Sequence, residues 1–371
     1  MATQSHLVSD AAHPRRVLIV RIGAMGDVLH ALPAVSAMRR QHPDWHIGWA
    51  IEPIWIPLLR ADSDDSAEPG SSAMPLVDRI HSVPTRTWKR RPFAGETIRE
   101  IKALRREFRA ERYDLCVDMQ SAIRSAVVGR LSGAPEVAGP AVPHEKPANW
   151  LYGKSIPTPG IHVVEQGYEL LSGAIGEALR PTEDLLPIDD YAERWRDDLL
   201  ARTLPAASRH YAIVAPSAGW GAKQWPAERY GAVAAELARA GYTPLINATS
   251  PDDQLANAVA EASEGAATVV PCTVSQLISL TRRASLVIAG DTGPLHLAAS
   301  LQRPVVALFG PTDPARNGPW GTRARILRHP SSRRDHSRHA DTEEGLLQIT
   351  IDEVNAAALE LLSAEHDKVI L

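Results

Sequence analysis

Cysteine is almost absent from this sequence, which has only two among 371 residues. Cys116 and Cys272 lie far apart along the chain and outside any spacing typical of metal ligands. We therefore expect neither a disulfide framework nor a zinc site. This scarcity fits a protein of the reducing cytoplasm.

Long hydrophobic runs are also missing. No stretch approaches the ~18 apolar residues that a membrane-spanning helix needs, and residues 1–14 lack the apolar core of a secretory signal. The formal net charge is only −4, so charge gives no global reason to expect a nucleic-acid partner. We expect a soluble protein that is at most attached to a membrane surface.

Two series of short apolar runs alternate with helical segments, which predicts two parallel sheets covered on both faces. A length of 371 residues fits two domains at ~150 residues each. The first series has strands at 17–20, 47–51 and 114–118, helices at 28–40 and 96–111, and a loop at 61–75. The second has strands at 211–215, 243–247, 267–271, 285–289 and 304–309, the last closing the series, and helices at 227–240, 251–262 and 274–283. Residues 180–209 are interpreted as a linker with one short helix, and a final amphipathic helix is predicted at 351–362.

The first strand runs into a turn that carries two glycines and precedes a helix. Glycines at such a turn let a ligand approach the backbone and the helix N-terminus. The dinucleotide pattern needs three glycines, whereas this turn has only Gly23 and Gly26, although Glu52 stands where a ribose-binding acid would. Asp27 falls in the first helical turn. Its position fits a helix cap and a general base at the carboxyl edge of the sheet equally well.

A second turn follows the fourth strand of the second series. Pro294 suits the first position of the next helix, which would leave free backbone N–H groups and the Thr292 hydroxyl around an anion at Gly293. A well-capped helix explains these three residues but not Asp291 and His296 beside them. We therefore interpret this turn as a binding site for a diphosphate.

A glycine-rich loop at 216–226 carries Ser217 and a single lysine, Lys223. Such a loop can surround phosphates with backbone amides and a point charge. Alone it fits a plain loop equally well. Together with the second turn in the same half of the chain, it predicts a nucleotide diphosphate site.

Basic residues are concentrated at 86–112, where ten of them stand against four acidic ones, a local net charge of +6. Helical charge pairs account for the later part of this segment. Arg86, Lys89, Arg90 and Arg91 come earlier with no acids among them, and indicate a site for an anionic acceptor or a membrane surface. No nucleic-acid-binding motif accompanies them.

Residues 329–344 are polar, rich in arginine and histidine, and without periodicity. A metal site at His329, His336 and His339 is conceivable from the residue type alone. A solvated loop fits the composition better.

Taken together, these segments resemble the family 9 glycosyltransferases, which include the ADP-heptose:lipopolysaccharide heptosyltransferases. The resemblance rests on M-G-D-V-L-H at 25–30, D-T-G-P-L-H at 291–296, F-G-P-T-D-P at 309–314 and the loop at 223–226. It covers about residues 15–321 and resumes at 349–362. The segments at 85–90 and 118–120 look most like the heptosyltransferase I branch, which adds the first heptose to Kdo–lipid A.

The resemblance implies the GT-B fold, in which two Rossmann-like, doubly wound α/β domains face each other across a cleft. Residues 14–185 would form the acceptor-binding domain and residues 205–330 the nucleotide-sugar-binding domain. Residues 345–371 would form a helix that packs back across the domains.

The resemblance also assigns roles to individual residues. Asp27 would be the catalytic base. The donor would contact Ser217, Lys223, Asp291, Thr292, Gly293 and His296. The acceptor would contact Gly26, Arg86, Lys89, Arg90 and Gln120.

The partners that the resemblance implies are ADP-heptose as donor substrate, an anionic glycolipid as acceptor and the cytoplasmic face of the inner membrane. No metal or other cofactor would be required, and Mg²⁺ would at most stimulate the reaction. In the mechanism that follows, Asp27 deprotonates an acceptor hydroxyl as it attacks the anomeric carbon and inverts its configuration.

Two departures from the family pattern bear on the substrates. Many members carry a further acid in the loop after the second strand of the donor domain, where this chain has Asp252 and Asp253 without a clear match. Many members also have cysteines before the last helix, where this chain has the segment rich in arginine and histidine, which bears on the acceptor.

Other interpretations stay open. A GDP- or UDP-sugar could replace ADP-heptose in an enzyme of the same fold. A nicotinamide-dependent oxidoreductase using the first turn is the alternative of another enzyme class, against which the missing third glycine argues. A non-catalytic acceptor-binding protein is a further alternative, but it would make the presence of Asp27, Lys223 and Asp291 in these motifs a coincidence.

Overall fold

Two six-stranded parallel sheets organise the chain. The structure is a computed structural model and describes residues 15–205, 210–335 and 340–369. Central strands such as Arg16–Val20 and Tyr211–Ala215 bury side chains on both faces, as strands do when helices cover both sides of a parallel sheet.

The first sheet has the strand order β3-β2-β1-β4-β5-β6, with every neighbouring pair parallel. Its strands are β1 (Arg16–Val20), β2 (His46–Ile51), β3 (Arg79–Ser82), β4 (Leu115–Asp118), β5 (Glu136–Pro140) and β6 (Lys154–Ile156). The helices of this half are α1 (Met25–Gln41), α2 (Thr85–Arg90), α3 (Gly95–Glu111), α4 (Ile123–Leu131) and α5 (Val163–Ile175), with 3-10 turns at Pro53–Leu58 and Lys146–Leu151.

The second sheet has the order β12-β11-β10-β7-β8-β9, again parallel throughout. Its strands are β7 (Tyr211–Ala215), β8 (Thr243–Ala248), β9 (Thr268–Pro271), β10 (Leu286–Gly290), β11 (Val305–Leu308) and β12 (Ala324–Leu327). The helices are α6 (Asp190–Thr203), α7 (Ala227–Arg239), α8 (Gln254–Ala262), α9 (Val274–Arg282), α10 (Gly293–Ser300), α11 (Pro314–Asn317), α12 (Glu344–Gln348) and α13 (Ile351–Val369), with a 3-10 turn at Gly221–Lys223.

Both sheets have the same topology when their strands are renumbered from the first of each half, namely 3-2-1-4-5-6. This is the doubly wound order in which ligands bind where the chain reverses direction along the sheet. The predicted α/β architecture of two doubly wound domains is therefore confirmed. The reversal points lie between β1 and β4 in the first domain and between β7 and β10 in the second.

Several predicted boundaries were wrong. Helix α1 begins at Met25 rather than at residue 28, so Asp27 lies inside its first turn. The second sheet does not end at β11, because β12 pairs with its outer edge. The helix expected within a linker is α6, which has 14 residues and packs against α9.

The last helix packs on the second domain over its described contacts. These contacts join α13 to α7 and to strands β10, β11 and β12. Its buried residues Val354, Ala358 and Leu361 belong to the core of the second domain. Packing of residues 345–371 across both domains stays a prediction.

Helices α1 and α10 form the main contact between the domains. The apolar core around α1 includes Leu277, Ile278 and Leu297 of the second domain. A hydrogen bond from the Ser275 hydroxyl to Asp62 (3.0 Å) adds a polar contact. The starts of both motif-bearing helices are thus brought together at one place.

Candidate active site

Both oxygens of the Asp27 carboxylate have a bonding partner, yet the side chain remains partly exposed. Its Oδ2 accepts a hydrogen bond from the Ala24 N–H (2.9 Å), and its Oδ1 pairs with the Arg21 guanidinium (2.9 Å). Arg21 also donates to the carbonyls of Asp27 (2.9 Å) and Met119 (2.5 Å). The Asp27 side chain remains 49% exposed. It therefore caps the helix start and is also accessible to a substrate.

A buried polar chain links the two domains. The Lys223 ammonium donates to Asp291 Oδ2 (2.5 Å), and Asp291 Oδ1 accepts from His296 Nε2 (3.1 Å). His296 Nδ1 in turn lies 3.1 Å from Nε2 of His30 on α1. Burial alone would raise the pKa of Asp291, but its hydrogen bond to His296 and the charges of His296 and Lys223 lower it well below its usual range. Asp291 is thus a buried, ionised carboxylate.

Two glycines allow the helix starts to approach closely. A Cβ on Gly26 would stand 2.8 Å from the His296 ring, and a Cβ on Gly293 would stand 2.5 Å from the Met25 sulfur. Both distances are too short for real contacts, so any side chain at either position would force the neighbouring side chain of the other domain to shift. Met25 consequently covers the start of α10.

A cleft of about 670 Å³ lies between the domains. It is lined by Asp27 from the first domain and by Trp220, Lys223 and Thr312 from the second. Basic residues dominate its charged lining, namely Arg21, Arg86, Arg124, Lys223 and Arg316, against the acids Asp27, Glu52 and Glu145. The cleft therefore suits anionic ligands.

A second cavity of about 480 Å³ adjoins the cleft. Arg21, Asp27, Ser121, His144 and Arg316 line both. Asp27 accordingly lies where two cavities meet, which is suitable for a group that must contact two substrates.

The residues predicted to bind an acceptor divide into two sets. Arg86 lines the cleft with its guanidinium 5.9 Å from the Trp55 ring, and Gln120 lines it while accepting a hydrogen bond from the Ile22 N–H (2.8 Å). Lys89 and Arg90 are exposed on α2 and are not among the lining residues of the cleft.

The residues predicted to bind a donor divide in the same way. Lys223 lines the cleft and lies 4.4 Å from the centre of the Trp220 ring. Ser217, Thr292 and Gly293 do not line it. The Thr292 hydroxyl bonds the Gly290 carbonyl (3.2 Å) at the N-cap of α10.

Of the two acids without a clear match to the family pattern, Asp252 and Asp253, only the second has a structural role at the start of α8. Asp253 caps that helix by accepting from the Ala256 N–H (3.1 Å), whereas Asp252 is exposed. Glu52, where a ribose-binding acid was considered, is 7% exposed. It accepts a hydrogen bond from the Thr85 hydroxyl (2.7 Å) and so anchors the segment that carries Arg86.

Sequence reasoning missed several residues of the cleft, namely Arg21, Arg124, His144 and Arg316. The position of Arg21 directly after β1 was a usable signal, because side chains there stand at the carboxyl edge of the sheet. Nothing in the sequence distinguishes the other three from ordinary surface residues.

The described ranges contain neither a metal-binding cluster nor a membrane-spanning helix. Among those residues no group of three or more His, Cys, Asp or Glu could hold a metal ion. His329 bonds the Ser331 hydroxyl (2.7 Å), while His336 and His339 lie outside the described residues. Within the same ranges no helix is long and apolar enough to cross a membrane.

Comparison with known proteins defines the class to which this fold and cleft belong. The profile described as "Glycosyltransferase family 9 (heptosyltransferase)" matches residues 101–347. The chain therefore belongs to glycosyltransferase family 9, and it is a glycosyltransferase.

Named relatives are similar over most of the chain. Lipopolysaccharide heptosyltransferase 1 of Escherichia coli strain K12 is 28% identical over 321 residues, which are 85% of this chain and 94% of that protein. Its counterpart in Pseudomonas aeruginosa is 27% identical and covers 82% of this chain and 81% of its own length.

A solved structure confirms the GT-B architecture. The E. coli heptosyltransferase WaaC with ADP superimposes with a TM-score of 0.73 at 26% identity, and covers 93% of this chain and 99% of its own. The same protein with ADP-2-deoxy-2-fluoro heptose gives a TM-score of 0.72 at 27% identity.

Proposed function

We propose that this protein transfers a heptose from ADP-heptose to an anionic inner-core acceptor of the Kdo–lipid A type, with inversion at the anomeric carbon. The observation that carries the proposal is that Asp27 and Lys223, from opposite domains, line one cleft with a basic lining. The relatives named above are lipopolysaccharide heptosyltransferases, and WaaC is described with ADP and with a fluorinated ADP-heptose.

Asp27 is proposed as the general base. Its open carboxylate would take the proton of an acceptor hydroxyl while the oxygen attacks the anomeric carbon from the face opposite the nucleotide. Arg21 would hold the carboxylate in orientation, because it bonds both the side chain and the backbone of Asp27. Attack from the opposite face inverts the configuration.

Lys223 is proposed to stabilise the departing diphosphate. Negative charge grows on that group as the bond to the sugar breaks, and a fixed ammonium in a water-poor cleft stabilises it more than water would. Thr292 and Gly293 would add backbone N–H groups once the Met25 side chain moves away from the start of α10. We expect no metal to be required, and Mg²⁺ bound to the diphosphate would be compatible with the cleft.

Nucleotide binding tests the donor assignment. We expect the purified protein to bind ADP more tightly than GDP, UDP or NADH in a calorimetric or tryptophan-fluorescence titration. Preference for GDP or UDP would leave a glycosyltransferase with another donor and refute the heptose assignment. Binding of NADH alone would favour the oxidoreductase alternative.

The acceptor is proposed to reach the cleft from a membrane surface on the cytoplasmic side. The loop between α2 and α3 exposes Phe93 by 91%, directly after the exposed Lys89, Arg90 and Arg91. Basic residues near an anionic membrane contribute ~1 kcal/mol each, and an exposed aromatic ring can insert at the headgroup level. Both features favour contact with an anionic lipid surface.

Vesicle binding tests this contact. Replacing Lys89, Arg90 and Arg91 together by glutamine should weaken binding to vesicles of anionic phospholipid by about tenfold or more, as measured by co-sedimentation. Binding to neutral vesicles should change little. A triple variant on the opposite domain (Arg239, Arg283 and Arg325 to glutamine) serves as the charge-matched control. Equal losses in both variants would show that total charge alone is responsible.

A further inference from the structure

A chain of hydrogen-bonded side chains runs from Lys223 in the second domain to His30 in the first. Lys223 belongs to the loop after β7, and His30 lies one helical turn beyond Asp27 on α1. Asp291 and His296 join them, with 9% and 5% of their surfaces exposed. Lys223 is therefore joined by three successive contacts to the helix that carries the proposed general base.

The Lys223 end of this chain fixes the directions of its first two hydrogen bonds, because both are accepted by the Asp291 carboxylate. Asp291 is an ionised acceptor, so His296 must carry a proton on Nε2. The contact between His296 Nδ1 and His30 Nε2 (3.1 Å) then holds one shared proton. Burial lowers the pKa of His30 well below its usual range, with His296 and Arg21 lowering it further. Because the two rings lie only 4.2 Å apart between centroids, they do not both carry charge.

A nucleotide diphosphate in the donor site would affect the first bond of this chain, between Lys223 and Asp291. In the structure the Lys223 ammonium donates to the side chain (2.5 Å) and to the backbone carbonyl (3.3 Å) of Asp291, which uses two of its three hydrogens. A diphosphate that takes the third hydrogen shares the charge of the same ammonium with Asp291. The outcome depends on how firmly His296 holds the carboxylate, and the orientation of His296 depends on His30.

We propose that His30 is a positioning residue that, by sharing one proton with His296 across the domain contact, couples the availability of Lys223 for the donor to the placement of helix α1. The inference rests on the proposed donor site and goes beyond it. Gly26 fits the same assignment, because any side chain there would displace the His296 ring from the bond with His30.

His162 helps to distinguish two roles for His30. His30 either acts through the hydrogen-bonded chain to Lys223, which we call the relay, or only holds the domains together. His162 caps α5 in the first domain, and its Nε2 donates to the Gly318 carbonyl of the second domain (3.0 Å). Its ring centroid lies 6.1 Å from that of His30, and it bonds across the same boundary, but its bond ends on a backbone carbonyl and does not continue to Lys223. It is therefore a control for the loss of a domain contact beside His30.

A double-mutant cycle on ADP affinity tests the proposal. His30→Phe keeps a ring and removes the hydrogen bond, whereas His30→Gln keeps a donor near the position of Nε2. His30→Phe should weaken ADP binding about five- to tenfold and raise the donor KM without raising the acceptor KM. His30→Gln should restore the affinity to within about twofold, and His162→Phe should leave it unchanged. In a Lys223→Ala background, His30→Phe should have almost no further effect.

The outcomes distinguish the relay from the donor site. If Lys223→Ala binds ADP as tightly as the wild type, the donor site itself is misassigned and the relay falls with it. If Lys223→Ala weakens binding but His30→Phe acts equally in both backgrounds, or His162→Phe acts as strongly as His30→Phe, only the relay is refuted. Should His30→Phe fail to fold, a loss with His30→Gln as large as that of Lys223→Ala would also refute it.

Discussion

Replacing Asp27 by asparagine should lower turnover by roughly 10²- to 10⁴-fold, the contribution typical of a general base. The amide has nearly the same shape and can still accept the Ala24 N–H bond that ties the helix start. It cannot take a proton from an acceptor hydroxyl. ADP affinity and thermal stability should therefore change little, and the loss should appear in kcat.

A steady-state assay with ADP-heptose and a Kdo–lipid A type acceptor measures this loss. Asp190→Asn is a matched control, because Asp190 also lies in the first turn of a helix but does not line the cleft. Near-normal turnover of Asp27→Asn would exclude Asp27 as the base. The anomeric proton coupling of the product, measured by NMR, would show directly whether the configuration inverts.

Replacing Lys223 by alanine should lower kcat/KM by roughly 10²- to 10³-fold, as expected for the loss of a group that stabilises the charge of the transition state. Donor affinity should fall as well, because the ammonium meets the diphosphate before the reaction. The substitution also leaves Asp291 buried with His296 as its remaining partner. A loss of stability is therefore expected in addition, since removing one partner of a buried ion pair leaves an uncompensated charge.

The two effects can be separated by a second substitution. Asp291→Asn in the Lys223→Ala background removes the uncompensated charge, so it should recover thermal stability without recovering activity. Lys154→Ala is the control for removing a lysine, because Lys154 lies on the outer strand β6 and pairs with Glu136 of β5. Recovery of activity in the double variant, or a normal kcat/KM in Lys223→Ala, would show that Lys223 does not act on the donor.

Most central strands could be predicted from sequence because each consists of consecutive buried apolar residues, but the inner strand β5, which contains glutamate, glycine and proline, was missed. Of the edge strands only β9 was predicted. β3 (Arg79–Ser82) is only partly buried, and β6 (Lys154–Ile156) has three residues. Such segments become strands because a neighbouring strand is already in place, and this depends on tertiary contact rather than on local pattern. Helices α4 and α5, in the segment between β4 and the linker, were missed as well.

The candidate site was predictable where glycines, a lysine and acids follow strands in a recognisable order. What could not be predicted is which of these residues meet. His30 and His296 are 266 positions apart, and neither motif alone indicates that its histidine faces the other. The expectation that the start of α10 is open to a diphosphate did not anticipate Met25, whose contact with Gly293 depends on how the domains dock.

Because the two sheets have the same strand order, each position in one domain has an equivalent position in the other. Asp27 follows the first strand of its sheet and Lys223 follows the first strand of the other, while Gln120 and Asp291 follow the fourth strand in each. Asp27, the proposed proton acceptor, and Lys223, the proposed diphosphate ligand, thus occupy equivalent positions in two domains of the same topology. The direction of sugar transfer would then be set by the side chains at these two positions rather than by the backbone topology, which is the same in both domains.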